Sequence, residues 1–167
     1  MVHARVQIAR DLRLAAPVER AWRLLADVEQ WGRLFPHVVS VQPYEPGDHT
    51  RQSAAEAGSD PVFLWRMAPL GPPGGRVETV YACRYHPEPA SHTLRWTPVD
   101  GVGTARFAGA CALQPAGDAT VGTLRLDATL EIPAPSFVRA VVQPAVEFEM
   151  GRMTDTFIER LGAALAA

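Results

Sequence analysis

Lysine and asparagine are both missing from this chain of 167 residues, and each absence removes a piece of chemistry. Without lysine there is no Schiff-base nucleophile, no phosphate-loop lysine and no lysine general base, so all 16 Lys-plus-Arg positions are arginine. Without asparagine there is no asparagine-linked glycosylation site. A net charge of -2 offers no basic footprint, so neither nucleic acid nor an anionic membrane is an expected partner. No apolar run approaches the roughly 20 residues that cross a bilayer. The N-terminus, MVHARVQIARDL, lacks the basic head and apolar stretch of a signal peptide, which predicts a cytoplasmic protein. There are two cysteines, Cys83 and Cys111, both in strand-like surroundings, and they read as small buried hydrophobes rather than a disulfide.

Several catalytic signatures are also lacking. His3, His37, His49, His86 and His92 show no paired ligand spacing, and no carboxylate or cysteine completes a set, so no metal is expected. Ser40, Ser53, Ser59, Ser91 and Ser136 have no G-x-S-x-G context for a nucleophile elbow. The glycine-rich run Gly71-Pro72-Pro73-Gly74-Gly75 carries too much proline to cradle a phosphate through backbone donors. No cofactor is implied.

What is present is a hydrophobic content of 47% in a length that buries about two-thirds of its unfolded surface as one domain, residues 1–167. Val6, Ile8, Leu12 and Leu14 alternate with Arg5, Gln7, Asp11 and Arg13, a strand with one buried face. Arg10 is the polar intruder on that face: a ligand anchor, half of a salt bridge at the sheet edge, or the mark of a shift in strand parity. Pro17 suits the first turn of a helix carrying Val18, Ala21, Trp22, Leu24 and Leu25. Asp27 suits the cap of a second short helix with Val28, Trp31, Leu34 and Phe35, ended by Pro36.

Strands are then expected over Val38–Tyr44, Thr50–Ala57, Val62–Met67, Val77–Tyr85, Thr93–Pro98, Thr104–Gln114 and Val121–Ile132, with turns at Pro46-Gly47-Asp48, His86-Pro87-Glu88-Pro89 and Asp100-Gly101. The alternation of Leu124, Leu126, Ala128, Leu130 and Ile132 against Arg125, Asp127, Thr129 and Glu131 predicts an antiparallel sheet with one wet face. From Ser136 the period becomes helical. Val142, Val146, Met150, Met153, Phe157, Leu161 and Leu165 form a stripe able to cover the sheet, with a kink or restart near Gln143 before Pro144. The fold class is α+β, a curved antiparallel sheet around a long C-terminal helix.

The segments Ala16-Pro17-Val18-Glu19, Ala21-Trp22, Leu25-Ala26-Asp27-Val28, Trp31 and Phe35-Pro36-His37-Val38 together resemble the START-like, or helix-grip, superfamily, which includes polyketide cyclases, lipid- and quinone-binding proteins and Bet v 1 allergens. The resemblance implies an apolar molecule bound between sheet and helix. Physics points the same way, since a curved sheet touches one helix along a line and leaves space that large side chains or a ligand must fill. Candidates for the lining are Phe35, Trp65, Met67, Tyr81, Tyr85, Trp96, Phe107, Phe148 and Met150, which form either a pocket wall or simply the core. The loop after Met67 and the Phe35 region would act as a lid.

In aromatase/cyclases of the superfamily, the resemblance implies a pocket arginine among aromatic and hydroxyl-bearing neighbours. Arg66 alternates to the face opposite Trp65, which places that role in doubt here. Tyr81 and Tyr85 are possible proton donors to an oxyanion. Three functions stay open at this point: carriage of a hydrophobic small molecule such as a lipid, isoprenoid quinone or polyketide; aldol cyclisation and dehydration of a polyketide; and docking onto a larger assembly.

Overall fold

The computed structural model of the protein describes residues 1–46, 60–71 and 76–166. Among these residues, seven strands form one antiparallel sheet: β1 (Val2–Leu14), β2 (Val38–Pro43), β3 (Val62–Met67), β4 (Val80–Glu88), β5 (Thr93–Pro98), β6 (Ala105–Ala116) and β7 (Ala119–Ile132), in the spatial order β1-β7-β6-β5-β4-β3-β2. Helices α1 (Val18–Ala26) and α2 (Val28–Leu34) link β1 to β2, and α3 (Arg139–Ala166) closes the chain. This is the α+β helix-grip arrangement expected of the sequence. The expected Thr50–Ala57 strand lies outside the described residues. Among those residues, no helix is long and apolar enough to cross a membrane.

Strict alternation builds the long strands. In β1 the residues Val2, Ala4, Val6, Ile8, Leu12 and Leu14 are buried and their neighbours are not, in register with β7 from Val2–Ile132 to Leu14–Thr120. Pro17 stands at the entrance of α1 in an extended conformation, and its carbonyl receives the amides of Arg20 and Ala21. Asp27 precedes α2, although its side chain makes no capping hydrogen bond. Helix α2 ends at Leu34 because Phe35, held before Pro36, is extended at φ -76° and ψ 136°.

Two expectations at β4 need correction. Val77 forms only an isolated bridge with Leu70, so the strand starts at Val80. His86-Pro87-Glu88 is not a turn but the end of β4, paired through Glu88–Thr93 with β5, and the reversal falls on Pro89–Ser91 and His92 at φ 50°. Proline is tolerated there for a geometric reason. The Tyr85 amide donates to the Pro61 carbonyl, so by the two-residue repeat the missing Pro87 donor points the same way, past the first residue of β3. Pro115 in β6 follows the same rule, since the Leu113 amide donates to His92 and β5 begins only at Thr93.

The outer face is less wet than the alternation predicts. Val62, Ala82 and Val99 form a small second cluster there, with Tyr44, Leu64 and Val102 against it. Two glycines are required by close approach. At Gly103 (φ 70°) a Cβ would lie 1.9 Å from the Val80 carbonyl oxygen, and at Gly109 one would lie 2.4 Å from Trp96 Cζ2. The Trp96 indole thus packs closely against β6 at Gly109.

Helix α3 runs through Pro144 as one continuous helix and does not restart there. Its first turns are pinned to the edge strand by Gln143, whose Oε1 accepts the Arg5 amide at 3.2 Å and whose Nε2 donates to the Arg5 carbonyl at 2.5 Å. The amide side chain thereby serves as a one-residue strand on an otherwise open edge. Arg10 resolves as an ion pair with Asp155 of α3 at 2.7 Å, 38% exposed at its side chain, and it does not line the cavity between sheet and helix. Further along, Phe157, Leu161 and Leu165 are fully buried in the main core with Trp22, Leu25 and Trp31.

Candidate ligand cavity

Between the concave face of the sheet and the N-terminal half of α3 lies a cavity of about 510 Å³. Each wall follows from a periodicity. The period of two puts Trp65 and Met67 of β3, Tyr81, Cys83 and Tyr85 of β4, Trp96 of β5, Phe107 of β6, and Leu126, Leu130 and Ile132 of β7 on the inner face. The helical period puts Val142, Ala145, Val146, Glu149, Met150 and Met153 of α3 opposite them. Trp31 and Phe35 close one end.

That closed end is a packed aromatic cluster. The Trp31 ring lies 5.4 Å from Trp96, 5.1 Å from Phe157 and 5.9 Å from Tyr85, and its indole N–H donates to the Leu25 carbonyl at 2.9 Å. Phe35 stacks on Phe157 at 4.2 Å with an interplanar angle of 12°. The opposite end is looser. Leu70, Val77, Val142 and Val146 are half-buried, while Gly71 and Ala145 are exposed, so among the described residues the looser end lies between the Leu70–Val77 bridge and the first turns of α3.

The polar groups inside are few and mostly paired. Trp65 Nε1 donates to the Tyr85 hydroxyl at 2.8 Å, and the Cys83 thiol donates to the Phe107 carbonyl at 3.3 Å. Burial pushes the Cys83 thiol up to about 12, so it is neither a nucleophile nor a ligand at neutral pH. Burial, reinforced by Cys83, also raises both Tyr81 and Tyr85 well above the ordinary tyrosine value, and each stays a protonated donor. Tyr81 differs from Tyr85 in one respect: its hydroxyl makes no hydrogen bond among the described residues. Tyr81 is among the residues that line the cavity.

Of the residues expected at the site, the structure brings Phe35, Trp65, Met67, Tyr81, Tyr85, Trp96, Phe107 and Met150 to the cavity wall. Phe148 does not belong there. It is 67% exposed, because two positions along a helix turn the side chain about 200° away from Met150. Trp31, Glu149, Met153 and the β7 residues line the cavity without having been singled out for it. Apolar periodicity marks all of these except Glu149, which reads in sequence as part of a solvated helix face. Arg66 is exposed on the outer side of the sheet. Among the described residues no arginine or histidine lines the cavity, and no group of three His, Cys, Asp or Glu side chains is placed to hold a metal.

Sequence comparison agrees with this geometry. The family described as polyketide cyclase/dehydrase and lipid transport matches residues 3–166. The chain belongs to that family. Among proteins with curated descriptions, none matches the sequence. Among solved structures, the chain is similar to the Zhui aromatase/cyclase from Streptomyces sp. R1128 with a TM-score of 0.72 at 15% identity, covering 97% of this chain and 94% of that one. It is similar also to a START superfamily protein from Mycobacterium smegmatis (TM-score 0.66, 15% identity, 96% and 97% covered). Norcoclaurine synthase from Thalictrum flavum aligns with a TM-score of 0.61 at 13% identity, with 98% and 88% covered. At these identities the likeness establishes the fold that family members share.

Proposed function

We propose that this member of the polyketide cyclase/dehydrase and lipid-transport family is a single-domain, cytoplasmic carrier that binds a hydrophobic small molecule in the cavity described above. A lipid, an isoprenoid quinone or a polyketide-like polycycle would suit it. The observation that supports the reading best is the cavity itself: about 510 Å³ walled by aromatic and aliphatic side chains. A volume in the usual range for small-molecule sites, left open in an otherwise close-packed core, forgoes dispersion contacts that an apolar ligand would restore. The contacts would come from Phe35, Trp65, Met67, Tyr81, Tyr85, Trp96, Phe107 and Met150.

Three of the four tryptophans, Trp31, Trp65 and Trp96, line the cavity, so tryptophan fluorescence reports its contents. Native mass spectrometry of the purified protein, followed by titration with apolar probes, is expected to show one ligand per chain and saturable quenching. A protein that retains nothing and takes up no apolar probe would refute the carrier reading.

One observation favours the second reading, a cyclase or dehydratase. The Tyr81 hydroxyl, held protonated at neutral pH by burial, has no hydrogen-bond partner among the described residues, as a group polarising a substrate carbonyl would need to be. On that reading Tyr81→Phe lowers turnover of a poly-β-keto substrate and leaves its binding intact. Unchanged turnover would remove Tyr81 from the chemistry.

A further inference from the structure

Hydrophobic ligands differ in their polar ends, and few polar groups line the cavity to meet them. Of the cavity-lining side chains among the described residues, Glu149 alone carries a formal charge. It stands one position before Met150 on α3, beside Ala145 and Val146 at the opening, with its side chain 35% exposed. Among the described residues it pairs with Arg152, one turn along at 3.8 Å. That guanidinium is 64% exposed, lies 6.0 Å from the Phe148 ring on the solvent side, and does not line the cavity. So long and so exposed an ion pair contributes little, and the negative potential of Glu149 persists at the mouth.

Consider a ligand entering with a carboxylate. Deep in the cavity it loses hydration among aromatic walls and finds no cationic partner among the described residues. At the rim it meets a like charge beside apolar walls, which strengthen the repulsion relative to open water. A hydroxyl or an ammonium has the opposite experience, because Glu149 is an acceptor and a negative charge in the one place where the ligand's polar end can stay partly wet.

Granted the ligand-binding reading above, we infer that the cavity selects amphiphiles whose polar end is a hydrogen-bond donor, an alcohol, phenol or protonated amine, and rejects those ending in a carboxylate, with Glu149 as the selecting group. Fatty acids are thereby excluded as a class.

A matched pair of fluorescent probes tests this: pyrenebutanol and pyrenebutyrate, titrated at neutral pH into the wild-type protein, Glu149→Gln and Arg152→Gln. The wild type should bind the alcohol about tenfold or more tightly than the carboxylate, equivalent to about 1.4 kcal/mol. Glu149→Gln should shrink that ratio at least threefold by improving carboxylate binding, whereas Arg152→Gln should leave the ratio unchanged or widen it. Equal binding of the two probes by the wild type, or a ratio that Glu149→Gln does not move, overturns the inference and leaves the carrier reading standing. Failure of the wild type to bind even pyrenebutanol overturns both.

Discussion

The two halves of helix α3 share one stripe of apolar residues and meet different surroundings. Beyond Met153 the stripe is sealed: Phe157, Leu161 and Leu165 are buried, and Phe157 stacks on Phe35 and packs against Trp31. Before Met150 the same stripe is only half-buried at Val142 and Val146, and Val141 and Phe148 on the other side are exposed. The contrast teaches that one helix performs two tasks. Its C-terminal half is core, where lost volume costs stability, and its N-terminal half roofs a cavity, where lost or added volume changes binding.

The largest way to break that contrast is Phe157→Ala. Removing a fully buried ring from the stacked cluster should cost about 3–5 kcal/mol, read by chemical denaturation. A cost below about 1 kcal/mol would mean that the sealed half is not core. Next comes Gly109→Ala, whose new Cβ would meet Trp96 and the Arg125 carbonyl at 2.4 Å each. Overpacking of this kind costs about 1–3 kcal/mol and should shift Trp96 fluorescence. Phe148→Ser stands at the small end, within about 0.5 kcal/mol of wild type, because its ring is already in water. A larger loss would show that the N-terminal half is packed after all.

Alkali sharpens the same division between sealed and open regions. The thiols of Cys83 and Cys111 are each pushed from 9.0 up to about 12 by burial. The unfolded chain therefore releases these protons well before the native one. Their contribution to stability is whole below pH 9 and falls as pH climbs toward 12, a loss that denaturation midpoints against pH should show. In the native protein at mildly alkaline pH, both thiols should resist a thiol reagent that labels them at once in denaturant. Prompt labelling of Cys83 would instead mean that bulk water reaches the cavity wall.

The legibility of the sequence divides along similar lines. The β1 and β7 alternations specify their strands residue by residue, because one face is buried along their whole length. The Pro36 signal at the end of α2 is local chemistry and equally plain. By contrast, Pro87 reads as a turn unless one knows that β3 stops short of it, and that is a fact about a neighbouring strand. The aromatic character of Phe148 suggests a lining residue, while the phase of the helix, readable from Val142, Val146, Met150 and Met153, excludes it. Glu149 shows the converse: half-buried at a cavity mouth, it carries the same local signature as any solvated glutamate, and only the surrounding apolar walls give its charge a consequence.

The central claim, that the space under the N-terminal half of α3 is a binding site and not a packing fault, is tested most directly by filling it. Val146→Trp places an indole into the cavity from a half-buried position without disturbing the sealed half of the helix. The account predicts that this variant melts within a few degrees of the wild type yet loses pyrenebutanol binding at least tenfold by fluorescence titration. A stably folded variant that binds the probe as the wild type does would contradict it.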